Sequence, residues 1–311
     1  MSIKDAPLPG PGAVDPLPTP GSVEIALTAR MHDRTTLRRG DEPWLEKAWD
    51  IDTTRVVPVA EGRFPVSADG EVGWRAPRDA GDGVRIFLGL RDGRAYFALL
   101  QDSAPESEDW RSLRWSGPLL SRADAGLMVH AVALAEWHTA HRHCPRCGGR
   151  LESTVAGHVL VCTVCGRQQF PRADPAVIML VTDGDRALLG RQPSWPEGRY
   201  STLAGFVDPG ESLEEAVARE VAEEVGVEVC DVSYFGNQPW PFPSSLMVGF
   251  FARAVTTEIR VDDDEISDAR WFSREDMRRG AESGSLVLPG GISISRSLVE
   301  AWYGGPLPGQ W

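Results

Sequence analysis

Glu220, Glu223 and Glu224 fall within five consecutive residues of the stretch GFVDPGESLEEAVAREVAEEVGV, Gly205 to Val227. Ser212 followed by Glu215 has the form of a capping box, and Gly226 stands where a helix of about three and a half turns would end. Leu213, Val217, Val221 and Val225 recur every fourth residue, giving that helix a face to bury. At about 100° per residue the three glutamates share a second stripe beside the apolar one. Carboxylates so placed repel one another unless a cation sits among them, and a hard divalent ion such as Mg²⁺ or Mn²⁺ takes oxygen ligands. Arg219 is placed to pin one carboxylate, and Gly205 to Gly210 supply a loop whose backbone can approach a ligand, with Pro209 and Gly210 turning it. The competing reading is a solvated acidic face.

A second set of ligand-type residues precedes it. Cys144, Cys147, Cys162 and Cys165 form C-x₂-C, fourteen residues, C-x₂-C, with Gly148 and Gly166 after the second cysteine of each pair. That spacing suits one structural Zn²⁺ per chain, because four thiolates leave no position for a reacting water. Disulfides are the poorer alternative in a reducing compartment. His138, His141 and His143 read as surface or packing residues, and Cys230 as a buried thiol.

The elements that must position these groups follow from the rest of the chain. Its 311 residues, 42% hydrophobic, suffice for two cores, and the net charge of −13 argues against a general nucleic-acid or membrane-surface binder. No apolar run reaches membrane-span length and no signal pattern follows Met1, so a soluble cytoplasmic protein is expected. Residues 1–22, rich in proline, read as a flexible tail. Residues 23–124 break into short apolar runs and read as a β-rich amino-terminal domain with no catalytic cluster. Helical spacing through Leu127, Ala131, Leu134 and Trp137 predicts a connecting helix within 125–143. The ribbon covers 144–168, and 169–311 alternates strands with helices, the parts of a mixed-sheet sandwich. Asn237 to Ser245, NQPWPFPSS, reads as a stiff extended segment presenting Trp240 and Phe242 to a flat ring.

Two of these stretches carry a family resemblance. Gly205, five residues, Glu211, seven residues, then Arg-Glu-Val-x-Glu-Glu-x-Gly-Val resembles the Nudix box. Asn237 to Ser245 resembles the SQPWPFPxS signature of the NADH pyrophosphatase subfamily, departing at Asn237. The four-cysteine ribbon, Ala133 to Trp137, Phe170-Pro171-Arg172 and Leu288-Pro289 are similar to that subfamily too, so the resemblance runs from about Leu127 onward. It implies an α+β chain: a β-rich amino-terminal domain, a zinc ribbon and a carboxy-terminal Nudix α/β/α sandwich.

The resemblance also implies an activity and a site. A homodimer would split the diphosphate of NAD(H) into nicotinamide mononucleotide and AMP, and would remove NAD caps from RNA 5′ ends. Glu220, Glu223, Glu224 and Glu265 would bind Mg²⁺ or Mn²⁺, with Glu224 or Glu265 as general base and Gly205, Glu211 and Arg219 as support. Without the family, Asp262 to Glu265 would pass for an acidic turn. Phe206 and Phe170 would sandwich the nicotinamide ring, Phe170 from across the dimer, while Ser245, Trp240 and Gln238 would complete the substrate site. A general nucleotide pyrophosphatase acting on diadenosine polyphosphates or ADP-ribose is the runner-up, and a nucleotide-sensing, nucleic-acid-binding regulator is the rival from another class.

Overall fold

The computed structural model describes residues 17–28, 32–105, 109–261 and 265–308. In the amino-terminal unit, alternating side chains of three strands fill two cores. β1 (Arg55–Val59) runs parallel to β4 (Arg94–Leu100), which pairs antiparallel with β3 (Val84–Arg91); β2 (Arg63–Pro65) pairs with β5 (Trp110–Ser112). Val56, Phe87 and Phe97 face α1 (Glu42–Trp49), whereas Val57, Ile86 and Leu88 face the core built on α3 (Arg122–Ala140). A one-turn α2 (Leu113–Ser116) enters between β5 and α3.

α3 is more than the connector read from its apolar spacing. Twelve of its nineteen residues are buried, because the strands flank it on one side while Trp240 and Phe242 of the carboxy-terminal unit pack against the same core. An all-round buried helix shows little amphipathic period, which hid this role in the sequence. The ribbon follows as β6 (Leu151–Thr154), β7 (Val159–Cys162) and β8 (Gln168–Gln169), all antiparallel.

The last unit contains β9 (Asp174–Thr182), β10 (Arg186–Arg191), β11 (Leu203–Phe206), α4 (Leu213–Val225), β12 (Val229–Trp240), β13 (Ser245–Ala254), β14 (Asp268–Ser273), α5 (Arg274–Ser283) and α6 (Ile294–Tyr303). Its sheet runs β12-β13-β9-β10-β14, with β11 on β9; β13 is parallel to β9 and the other pairings are antiparallel. Val177, Met179 and Val181 pack with α4, and Ile178 and Leu180 with α6 on the opposite face. The result is the mixed α/β/α sandwich expected.

Two expectations need correction. NQPWPFPSS is a hairpin rather than one continuous extended segment: Asn237 to Trp240 end β12, Trp240 lies directly opposite Ser245, which opens β13, and residues 241–244 turn between them. Of the tail assigned to 1–22, residues 1–16 lie outside the described residues, but Leu17 packs with Val23 and Ile25 on the α6-side core. No helix among the described residues is long and apolar enough to cross a membrane.

Candidate active site

α4 forms where its caps dictate. The Ser212 hydroxyl accepts from the Glu215 amide at 3.2 Å while the Glu215 carboxylate accepts from the Ser212 amide at 2.9 Å, and Gly226 closes the helix at φ +69°. Ala216, Val217, Val221 and Val225 are buried against the sheet, and Glu220 and Glu224 go down with them. The Glu220 carboxylate points to Gly205 of β11, where the strand has no side chain. A Cβ built on Gly205 would lie 1.9 Å from Glu220 Cδ, so only glycine admits the carboxylate.

Arg219 organises the acids rather than pinning one. Its Nε and Nη2 grip both oxygens of Glu211, at 2.8 and 2.9 Å, Nη1 reaches Glu220 and Glu223, at 2.8 and 3.0 Å, and Nη2 also bonds the Phe206 carbonyl. Glu211, Arg219 and the box loop thus form one charge-neutralised frame. Glu223 is turned outward onto Arg219 with its side chain 61% exposed, so it is the outlying member of the glutamate set.

Glu224 is the anomalous group. Its side chain is buried, Oε2 has no hydrogen-bond partner among the described residues, and burial together with the charges of Glu220 and Glu265 pushes its pKa up to about 8. Burial likewise raises Glu220, against the pull of Arg219. Glu220, Glu224 and Glu265 line one cleft of about 640 Å³ with Gly205, Asp208 and Phe206, the last standing 61% exposed at its mouth. A buried, unpartnered carboxylate oxygen facing two further carboxylates under a bare backbone fits a hard divalent cation. Asp262 to Asp264, which precede Glu265, lie outside the described residues.

The remaining assigned residues do not gather there. Ser245 and Trp240 line a second pocket between α3, the ribbon and the hairpin, and Phe170 lies exposed beside it, next to Pro171 of its wall. Gln238 is corrected outright: it is fully buried, its Nε2 donates to the carbonyls of Ala26 and Ile292 at 2.7 and 2.8 Å, and its Oε1 accepts from the Ile294 amide at 2.9 Å. A side chain so occupied is a structural clamp, not a ligand contact.

In the ribbon the four cysteine sulfurs lie within 4.8 Å of one another, Cys144 to Cys165 at 3.8 Å and Cys147 to Cys162 at 3.5 Å. Tetrahedral zinc with Zn–S bonds of about 2.3 Å separates its sulfurs by about 3.8 Å, whereas a disulfide would bring them to about 2 Å. The Cys165 amide faces Cys162 Sγ at 3.5 Å and, with the Val164 amide, holds that thiol below its ordinary value. His138 and His141 bond the carbonyls of Gly157 and Trp137 and serve packing. Cys230, expected to be buried, is exposed on β12.

Comparison with known proteins bears on these features. Residues 172–288 match the model of the NUDIX domain, and 33–137 match that of the NADH pyrophosphatase-like rudimentary NUDIX domain. The chain is 41% identical over 271 residues to the NAD-capped RNA hydrolase NudC of Mycobacterium bovis (strain BCG / Pasteur 1173P2), covering 81% of this chain and 84% of that protein. The chain belongs to the Nudix hydrolase family. It is thus a hydrolase whose box acids sit on α4, and divalent-metal dependence comes with the family. Another relative is the NAD-capped RNA hydrolase NUDT12 of Homo sapiens, 42% identical over 196 residues, 59% of this Nudix chain and 42% of that one. Among solved structures, a NUDIX hydrolase from Nitrosomonas europaea aligns with TM-score 0.43 and 19% identity, over 54% of this chain and 96% of that one. The rudimentary-domain match includes α3 as far as Trp137, in keeping with the helix packing in the amino-terminal core.

Proposed function

We propose that this Nudix hydrolase cleaves the diphosphate of NAD(H) to nicotinamide mononucleotide and AMP, and removes NAD caps from RNA 5′ ends. The observation that carries the reading is the buried Glu224 carboxylate, its Oε2 unpartnered among the described residues, in one cleft with Glu265 and with Glu220, whose carboxylate lies against Gly205. Substrate identity is supported by the relatives named for NAD-capped RNA hydrolysis and by the NQPWPFPSS hairpin. Glu220, Glu224 and Glu265 would hold Mg²⁺ or Mn²⁺, with Glu223 at the exposed edge. Bound there, the ion supplies charge neutralisation at phosphate oxygens and a water of lowered pKa.

The chain's own residues do the rest. Glu224 Oε2, unpartnered, is the base the cleft offers to an attacking water, with Glu265 the second carboxylate in reach of the same cleft. Arg219 fixes Glu220 and the Phe206 carbonyl, so loop and acids keep their places as charge shifts onto the leaving phosphate. The exposed ring of Phe206 offers a stacking face to nicotinamide, and Phe170 of the partner subunit in a homodimer would cover the other. Ser245 and Trp240 would bound the groove at its far end, and Cys144, Cys147, Cys162 and Cys165 would hold a structural Zn²⁺.

The test is a product assay with NADH and Mg²⁺ or Mn²⁺, native chain against Glu224→Gln. AMP and reduced nicotinamide mononucleotide from the native chain, lost in the variant, are expected. No turnover of NADH by the native chain would overturn this assignment of the substrate.

A further inference from the structure

The second pocket, of about 340 Å³, is walled by all three units of the chain. Arg34 and Arg39 come from the segment before α1, His130 from α3, His158 from the ribbon, and Arg172 and Ser245 from the start of the Nudix sheet. No carboxylate lines it among the described residues, in a chain of net charge −13. Arg172 meets Asp174 at the rim, and that acid is also held by the Ser244 hydroxyl.

Behind the wall the polar groups are poorly satisfied. Among the described residues, buried His130 Nδ1 and Arg39 Nε have no hydrogen-bond partner, and neither does either ring nitrogen of His32, stacked on His130 at 5.7 Å. His158 lies 5.5 Å from His130 on the other side, its Nε2 bonded to the Phe87 carbonyl at 2.8 Å. The unpartnered His130 Nδ1 and Arg39 Nε, beside the exposed guanidinium groups of Arg34 and Arg172, leave hydrogen-bonding capacity and positive charge that an anion can take up. Forked guanidinium donors, histidine and the serine hydroxyl are the groups that recognise the oxygens of a phosphate.

We infer that this pocket binds a phosphate group. The phosphate has two chemical sources: a phosphodiester of an RNA chain whose cap occupies the cleft, or a free phosphate. Only the first rests on the proposed reaction. The connection is Ser245, which opens β13 opposite Asp174 while Phe206 pairs with Ala176 on the other side of the same strand, so pocket and cleft flank the start of β9.

Inorganic phosphate titrated into the full chain, without added divalent metal and at constant ionic strength, is expected to raise Tm saturably by a few degrees. Arg39→Gln and the exposed Arg172→Gln should each weaken the apparent affinity at least tenfold, whereas Glu224→Gln should respond like the native chain. If Arg39→Gln does not fold, Arg172→Gln decides alone. Absence of a saturable response, or a response lost in Glu224→Gln and kept in the arginine variants, would overturn the inference. A short NAD-capped RNA compared with NADH then separates the sources. A KM rise in Arg172→Gln at least tenfold larger for the RNA assigns the site to the RNA chain, and equal KM changes for both substrates, with the affinity for inorganic phosphate weakened in the variant, assign it to a free phosphate.

Discussion

α3 and α4 are both helices capped by a serine and packed on a sheet, and each buries a pair of titratable side chains, with opposite charge. α4 carries Glu220 and Glu224 at the edge of an apolar face; α3 carries His130 and His138 among neighbours on nearly every side. Burial pushes both sets toward their neutral forms: Glu224 up to about 8, and His130 well below its ordinary value, the latter assisted by Arg34, His158 and His32. In each place the neighbours have the same sign as the buried group, so each is held in a state that an oppositely charged ligand would relieve. Two helices packed on sheets in one chain thus bury titratable side chains of opposite kind, acids on α4 and histidines on α3.

The largest test of the contrast falls on α4. Glu224→Gln keeps the volume and removes the charge, and kcat is expected to fall by about a thousandfold or more with Tm not lowered. Gly205→Ala is expected to reduce kcat by about a hundredfold, because a methyl group 1.9 Å from Glu220 Cδ must displace the carboxylate. A Gly205→Ala enzyme with native kinetics would show that Glu220 need not sit where the strand places it.

Two smaller effects probe the region around α3. Gln238→Leu orphans two carbonyls and an amide, so urea unfolding should report a loss of about 3 kcal/mol, while kcat of the folded variant changes only a few-fold. A large kcat loss without destabilisation would return Gln238 to the substrate site. The last test is acid stability. His32 and His158 are lowered from 6.5 to about 4, chiefly by burial, so the unfolded chain binds protons in that window and the folded chain does not. Their stabilisation is complete above about pH 6.5 and is lost as pH falls toward 4. About 2 kcal/mol should go between roughly pH 7 and 5.5, less in His158→Phe and less with phosphate present.

What could be read from the sequence was whatever regular spacing encodes. The box acids, the Gly205 approach, the caps of α4 and the four cysteines lie at short fixed intervals, and period 3.6 or a tight knuckle converts such intervals into geometry. The outward turn of Glu223 escaped because stripe position does not reveal which way Arg219 draws it. Gln238 escaped because its partners lie 212, 54 and 56 residues away. The basic pocket draws its residues from several separate segments, and no interval links Arg39 to His158 or Arg172. One signal was present: histidines and arginines interrupting otherwise apolar or turn segments of an acidic chain.

The clamp at Gln238 also governs how the gene can be cut. The leading segment is tied to the carboxy-terminal half by the Ala26 carbonyl on Gln238 and the Glu24 carbonyl on the Ser297 hydroxyl, with Ile25 against Gly236, where a Cβ would come within 2.3 Å of it. A fragment begun at residue 172, where the NUDIX domain match starts, would lack that segment and leave a buried amide hydrogen of Gln238 bare and the α6-side core open. Domain exchange at that boundary therefore fails unless residues 17–28 travel with the catalytic half, in cis or as a complementing peptide.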